Sequence, residues 1–261
     1  MALSFTLLGS GSSGNSTLVS DGDKHVLVDV GLSGRETARR LRVRGIAPEH
    51  ISAIVISHEH GDHCRGVTPF VKNLGIPIFI TEGALDASGM IVESRKIQQI
   101  QSGTPFEVCG FLFTPFAVPH DAADPIGFCI EKHKTRIGIV MDLGYMSNLV
   151  VERLRDCEGI ILESNHDVKM LQAGPYPWAL KQRVMSRRGH LSNDAVAEYL
   201  AKGFDGHAHH VVLAHLSKKN NLPELALESA RRGLEERSTI RAIQTKIGLS
   251  AADEISQTFT L

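Results

Sequence analysis

Ile51-Ser52-Ala53-Ile54-Val55-Ile56-Ser57-His58-Glu59-His60-Gly61-Asp62-His63 is the stretch on which the fold turns. Its short apolar opening, Ile51 to Ile56, has the composition of a buried strand. The strand delivers three histidines and an aspartate within six residues, His58 to His63. On an extended or looping backbone His58 and His60 share a face, and the break at Gly61 lets Asp62 and His63 turn toward a second position. Groups of this kind packed so tightly repel one another and are costly to bury without a cation. Imidazole and carboxylate together suit zinc or manganese, and two ions fit the pattern better than one.

Upstream of this stretch, Leu3 to Leu8 and Ser16 to Ser20 read as strands, and the Asp21-Gly22 turn joins the second to His25–Asp29 as a hairpin. A helix over Gly34 to Arg44 stops at Gly45. Downstream, strands are expected at Ile78–Thr81, Val108–Phe116, Gly127–Lys132, Arg136–Met141, Gly159–Leu162 and His210–Ala214. Helices are expected around Thr68–Leu74, Val150–Arg155, Asn193–Ala201 and Leu222–Leu234. Hairpins mixed with alternating strands and helices argue for a layered α/β arrangement with largely antiparallel or mixed sheets. No linker divides the chain, so one compact domain over residues 1–261 is expected, its two halves similar enough in content for an internal pseudo-duplication.

The 261 residues, 42% hydrophobic and 22% charged, suffice for a full core and exclude a disordered scaffold. With 28 Lys+Arg against 29 Asp+Glu the net charge is −1, so a polyanion must be gripped locally rather than by a global positive field. No apolar run is long enough to span a bilayer, and the opening Met1–Gly14 carries no basic leader, so a cytoplasmic protein without membrane contact is expected. Cys64, Cys109, Cys129 and Cys157 form no C-x-x-C pair and read as reduced, mostly buried thiols. The 13 histidines are the unusual count, and many sit beside aspartates.

Gly9-Ser10-Gly11-Ser12-Ser13-Gly14 imitates a dinucleotide-binding fingerprint, with Asp29 at the expected remove. That fingerprint needs a helix directly after the glycines, whereas Ser16–Val19 followed by an Asp-Gly turn is strand and hairpin. The loop reads instead as a tight turn whose backbone N–H groups and Ser12, Ser13 and Asn15 side chains are candidates to meet an anion.

The pattern His58-x-His60-x-Asp62-His63 after an apolar strand resembles the signature of the metallo-β-lactamase fold superfamily. Later motifs follow in the same order: Val28-Asp29-Val30-Gly31, Ala117-Val118-Pro119-His120, Val140-Met141-Asp142-Leu143-Gly144 and Val211–Ser217 with His215. The resemblance implies a four-layer αβ/βα sandwich with two mixed β-sheets and helices on the outer faces. It also implies two divalent transition metal ions, Zn2+ or Mn2+, with His58, His60 and His120 on one, Asp62, His63 and His215 on the other, Asp142 bridging, and Asp29 behind the ligands.

Glu163-Ser164-Asn165-His166-Asp167 and Gly189-His190-Leu191-Ser192-Asn193, together with Leu8–Ser16, are similar to the YycJ/WalJ family of exonuclease-like phosphodiesterases across essentially the whole chain. The 73 residues from Asp142 to His215 leave no room for an inserted β-CASP domain. The implied reaction is hydrolysis of DNA or RNA by a metal-bridging hydroxide, with Asp62, Glu163 and His190 in catalytic roles and His190, linked to Glu163, protonating the departing sugar oxygen. His166, Ser217, Lys218, Asn220 and Asn221 are candidate substrate contacts, each with an ordinary capping or turn role beside it. Lys219, Arg183, Arg187 and Arg188 are candidates for flanking phosphates. A small-molecule hydrolase acting on a thioester or cyclic phosphodiester shares every metal ligand, and a noncatalytic regulatory metalloprotein is the remaining rival.

Overall fold

The structure is a computed structural model that describes residues 2–72, 74–237, 244–251 and 253–261. Fourteen strands are present among them: β1 (Leu3–Gly9), β2 (Ser16–Asp21), β3 (Lys24–Val28), β4 (Ile51–Val55), β5 (Ile78–Thr81), β6 (Ile97–Ile100), β7 (Phe106–Val108), β8 (Phe111–Ala117), β9 (Ile126–Lys132), β10 (Thr135–Val140), β11 (Gly159–Glu163), β12 (His210–Ala214), β13 (Lys246–Leu249) and β14 (Phe259–Thr260). They form two seven-stranded sheets, ordered β14-β1-β2-β3-β4-β5-β6 and β13-β12-β11-β10-β9-β8-β7. Both sheets are mixed. In the first, β1, β2 and β3 are antiparallel while β3 to β6 run parallel. In the second, β9 and β10 are antiparallel while β10 to β13 run parallel.

Contacts divide the described chain into two compact units, one of Met1–Pro115, Ala122–Ile126 and Ala251–Leu261, the other of Phe116–Asp121 and Gly127–Ser250. In the first unit, Leu18, Leu27, Ile54 and Ile78 of the sheet pack against Leu41, Val67, Phe70 and Ala84 from helices. In the second, Val140, Ile160, Leu162, Val211 and Leu213 pack against Val150, Leu154, Val196, Leu200, Ala226 and Ala230. Each such aliphatic side chain, fully removed from water, contributes about 2 kcal/mol. The parallel strands read as near-continuous apolar runs because both faces are covered, as in β11, Gly159–Glu163, where every residue is buried.

Local signals explain most boundaries. Gly22, at φ 63°, makes the tight link from β2 to β3. The helix Gly34–Val43 starts where the Ser33 hydroxyl accepts the Glu36 N–H at 3.2 Å. The expected strand Val108–Phe116 is instead a hairpin of β7 and β8, because Cys109 and Gly110 both take positive φ, 52° and 81°. A cysteine in a position normally held by Asn or Asp disguises that turn. The expected helix Asn193–Ala201 stops at Glu198 and widens into a π turn over Tyr199–Gly203. Helices Glu82–Ser88, Val168–Ala173 and Trp178–Val184 and strands β6, β13 and β14 are not announced by the sequence pattern.

Candidate metal centre

In the first unit the site grows from the ends of β3 and β4. Asp29 follows β3 at φ 62°, in the left-handed region, and its side chain faces the Ser57 turn after β4. Asp29 Oδ1 accepts the Ser57 N–H at 2.8 Å, and Oδ2 accepts the Ser57 hydroxyl at 2.8 Å and His63 Nδ1–H at 2.7 Å. With its own proton given to Asp29, Ser57 Oγ is left to accept from His58 Nδ1 at 3.0 Å. Both rings therefore carry their proton on Nδ1 and turn a lone pair outward on Nε2, the arrangement that carboxylate and hydroxyl partners impose on metal-binding histidines. Asn15 Nδ2 lies 2.9 Å from His63 Nε2, as a donor to that lone pair. The rings of His60 and His63 stand 4.7 and 4.1 Å from that of His58, centroid to centroid.

Asn15 has a structural task besides. Its backbone N–H donates to Asp62 O at 2.7 Å, and its side-chain oxygen accepts the Gly11 N–H at 2.8 Å. It thus binds the glycine loop to the ligand loop, while Ser12 and Ser13 stay exposed. Gly31 completes the clamp, for a Cβ there would lie 1.6 Å from the Asp62 carbonyl oxygen. Gly31→Ala is expected to cost about 3 kcal/mol of stability and to weaken metal binding, because the Asp62-His63 backbone must retreat. Denaturant melts with a parallel metal titration check this, and native values in both would contradict the close packing.

In the second unit the parallel register of β10, β11 and β12 brings their carboxyl ends to one edge, with Val140 beside Leu162 and Glu163 beside Ala214. Asp142, Glu163 and His215 stand there, Asp142 and His215 again at positive φ, 55° and 53°. One ligand atom from each of Asp142, Glu163, His190 and His215 lies within 4.8 Å of the others. His215 Nδ1 is 2.6 Å from Asp142 Oδ1, and His190 Nδ1 is 2.6 Å from Glu163 Oε1 and 3.1 Å from Asp142 Oδ1. Glu163 Oε2 accepts the backbone N–H groups of Leu143 and Leu191 at 2.9 and 3.0 Å, so one buried carboxylate ties the Asp142 turn to the His190 loop. His120 belongs to the same unit, and its Nδ1 points at Gly189 O, 3.0 Å away, leaving Nε2 as the donor to a metal.

Burial opposes charge on His190, but Glu163 and Asp142 outweigh it and raise the pKa to about 10. Burial likewise pushes Glu163 upward, and His190 and His215 reverse this and hold it at about 2. Burial lowers the His120 pKa against the pull of Asp142 and Glu163. Two carboxylates at 2% and 0% exposure, crowded with imidazoles, form a donor set that fits a divalent transition ion held by nitrogen and oxygen.

The residues expected to touch substrate have quieter surroundings. Ser217 Oγ accepts from Asn220 N–H at 3.2 Å, Asn165 Nδ2 holds the His215 carbonyl at 2.9 Å, and Asn221 Nδ2 reaches the carbonyls of Ser164 and Asn165 at 2.9 and 3.0 Å. This buried amide network keeps the His215 turn in its left-handed conformation. Asn165, Asn193 and Ser57 hold these turns without any motif to announce them; the one signal in the sequence is their place just after strands or at a helix start. Lys218 is exposed, Arg183 pairs with Asp121 at 2.5 Å, and Arg188 Nε donates to His120 O at 3.2 Å.

His166 is 2% exposed, and burial lowers its pKa to about 4. An unfolded chain takes up that proton near pH 6.5, so the fold loses stability as pH falls from about 6.5 through about 4, by roughly 3 kcal/mol. His166→Gln is expected to remove this part of the acid sensitivity. Parallel pH–stability curves for the two proteins at matched metal content would contradict it.

Residues 24–216 match the beta-lactamase superfamily domain, which places the chain in a class of metal-dependent hydrolases. The chain is 33% identical over 240 residues to the exodeoxyribonuclease YycJ of Bacillus anthracis, covering 91% of each. It is 35% identical over 227 residues to the exodeoxyribonuclease WalJ of Streptococcus pneumoniae serotype 2, covering 85% of this chain and 84% of the relative. The chain belongs to the beta-lactamase superfamily and, within it, to the YycJ/WalJ family. The metallo-β-lactamase fold protein YhfI of Bacillus subtilis superposes with a TM-score of 0.74 at 14% identity, covering 100% of both chains, and gives the fold. Among the described residues no helix is long and apolar enough to cross a membrane.

Proposed function

We propose that this protein is a metal-dependent exodeoxyribonuclease that cleaves phosphodiester bonds at a dinuclear centre. His58, His60 and His120 would hold one ion, Asp62, His63 and His215 the other, and Asp142 would bridge, with Asp29 orienting His63 from behind. Zn2+ or Mn2+ suits imidazole and carboxylate donors, and bound there it would supply a nucleophile at neutral pH and charge neutralisation at phosphorus. The observation that carries the reading is His190 held 2.6 Å from the buried Glu163, in a chain similar over most of its length to two exodeoxyribonucleases.

The residues of the chain divide the remaining work. Glu163 accepts the hydrogen bond from His190 Nδ1–H, so Nε2–H is the atom that would donate to the departing sugar oxygen. At 23% exposure His190 is the least enclosed member of its cluster, as a group that must meet substrate has to be. The carboxylate of Glu163 favours the protonated form of the ring. No inserted domain is needed to assemble these groups within residues 1–261, and the buried thiols Cys64, Cys129 and Cys157 suit a cytoplasmic setting. The deciding experiment gives the metal-reconstituted protein end-labelled single- and double-stranded DNA and RNA beside a thioester and a cyclic phosphodiester. Shortening of DNA from one end is expected, and turnover of the small substrates alone would overturn the proposal.

A further inference from the structure

The second unit carries aromatic side chains that the chemistry above does not use. Arg187 lies over the Tyr145 ring, 4.1 Å from its centroid, and Lys219 lies 5.8 Å from the centroid of Tyr176. Trp178, the single tryptophan of the chain, is 63% exposed. An isolated exposed apolar residue means little, and Val43 and Ile91 are others. Tyr145 and Tyr176 differ in having cations beside them, and all three aromatics are fastened to the loops of the candidate centre.

Tyr145 is three residues beyond Asp142 and Arg187 three before His190, so each lies within about 11 Å of chain from those residues. Gly144 presses the two segments together, since a Cβ on it would lie 2.3 Å from the Arg187 carbonyl carbon. Lys219 is four residues beyond His215. Gly174 seats the Tyr176 turn against that same loop, a Cβ there falling 2.5 Å from Asn220 Oδ1. Trp178 opens the helix Trp178–Val184, whose last carbonyl, Val184 O, accepts the His190 N–H at 2.9 Å. Seven residues of helix span about 10 Å, the distance separating Trp178 from the His190 loop along that axis.

Aromatic faces with interleaved cations are how proteins hold unpaired nucleotides: bases stack on the rings, and cations meet phosphates or stack in turn. A chain of net charge −1 must gather such contacts locally. We propose that Tyr145, Tyr176 and Trp178, with Arg187 and Lys219, form a base-stacking strip that holds a single-stranded polynucleotide beside the Asp142–His190 cluster. The proposal rests on the nuclease reading and adds to it the strand form and the residues that grip it.

The full-length, metal-loaded protein is titrated with a cleavage-resistant phosphorothioate oligodeoxynucleotide while Trp178 emission is followed. An abasic phosphorothioate strand of the same length is the comparison. Quenching by the first and not the second is expected, because only bases stack. Tyr145→Ala and Tyr176→Ala should each weaken binding about tenfold, while the phenylalanine variants keep native affinity because they keep the ring. Equal binding of both strands with unchanged emission overturns the strip, as does native affinity in both alanine variants. Melting temperatures confirm that the variants are folded, and rescue by phenylalanine separates stacking from a general loss of structure. Cleavage of an ordinary phosphodiester strand, measured alongside, keeps the two readings apart. Cleavage without quenching removes the strip and leaves the nuclease, and quenching without cleavage under any metal condition does the reverse.

Discussion

Asp142→Ala is expected to lose metal and to lower the hydrolysis rate by roughly 1,000-fold or more, the scale on which a catalytic ion stabilises developing charge. Asp142 is 2% exposed and stands 2.6 Å from His215 and 3.1 Å from His190, so its loss removes a buried carboxylate from the middle of the cluster. The same substitution separates metal binding from folding. Without metal, Asp142 offsets its repulsion with the buried Glu163 by pairing with His190 and His215, so its removal should lower the melting temperature of the metal-free protein only modestly. In the metal-loaded protein the melting temperature should fall, since the stabilisation gained from binding is lost. Elemental analysis, a cleavage assay and paired melts test this. Retention of the full metal complement at native activity would remove Asp142 from the centre.

His190→Ala is expected to reduce cleavage by roughly 100-fold with metal content intact, the usual scale for losing a general acid. Because His190 also stands within ligand distance of Asp142, Glu163 and His215, its loss has two possible signatures. A metal ligand takes metal away with it, whereas a proton donor leaves metal in place and matters in proportion to how badly the leaving group needs a proton. Two substrates with the same phosphate, one releasing an alkoxide and one a nitrophenolate, distinguish these. The alkoxide reaction should suffer far more. An equal fall for both would make His190 a positioning residue, and a drop in metal content would make it a ligand. Glu163→Gln offers a parallel measure, because it weakens the hold on Nδ1 while keeping an acceptor for the Leu143 and Leu191 N–H groups.

Much of this was legible in the residues. His58 to His63 is a local signal, since the candidate ligands sit within a few positions of one another behind an apolar run that reads as a buried strand. Asp29, Asp142 and His215 stand out only through the family resemblance, which expects an acid or a histidine near the ends of these strands. What the sequence concealed depends on contacts distant in the chain. Asn15 looks like a loop residue until its bonds to Asp62 and His63, more than forty positions away, are seen. The hairpin at Cys109-Gly110 lacked the Asn or Asp that normally marks such a turn. The polar motifs around Ser164, Asn193 and Asn221 resemble binding residues in composition, yet they bond mainly to one another, a distinction that no spacing rule expresses.

Asp29, Asp142 and His215 each take a backbone conformation that an L-residue with a side chain holds at a cost of about 1 kcal/mol, and that glycine holds freely. At Asp29 that cost is outweighed, because glycine would leave the Ser57 N–H, the Ser57 hydroxyl and His63 Nδ1–H without their acceptor. The side chain that strains the turn thus also locks it, and a substitution chosen to relax the backbone would free the ring that the strained residue aims.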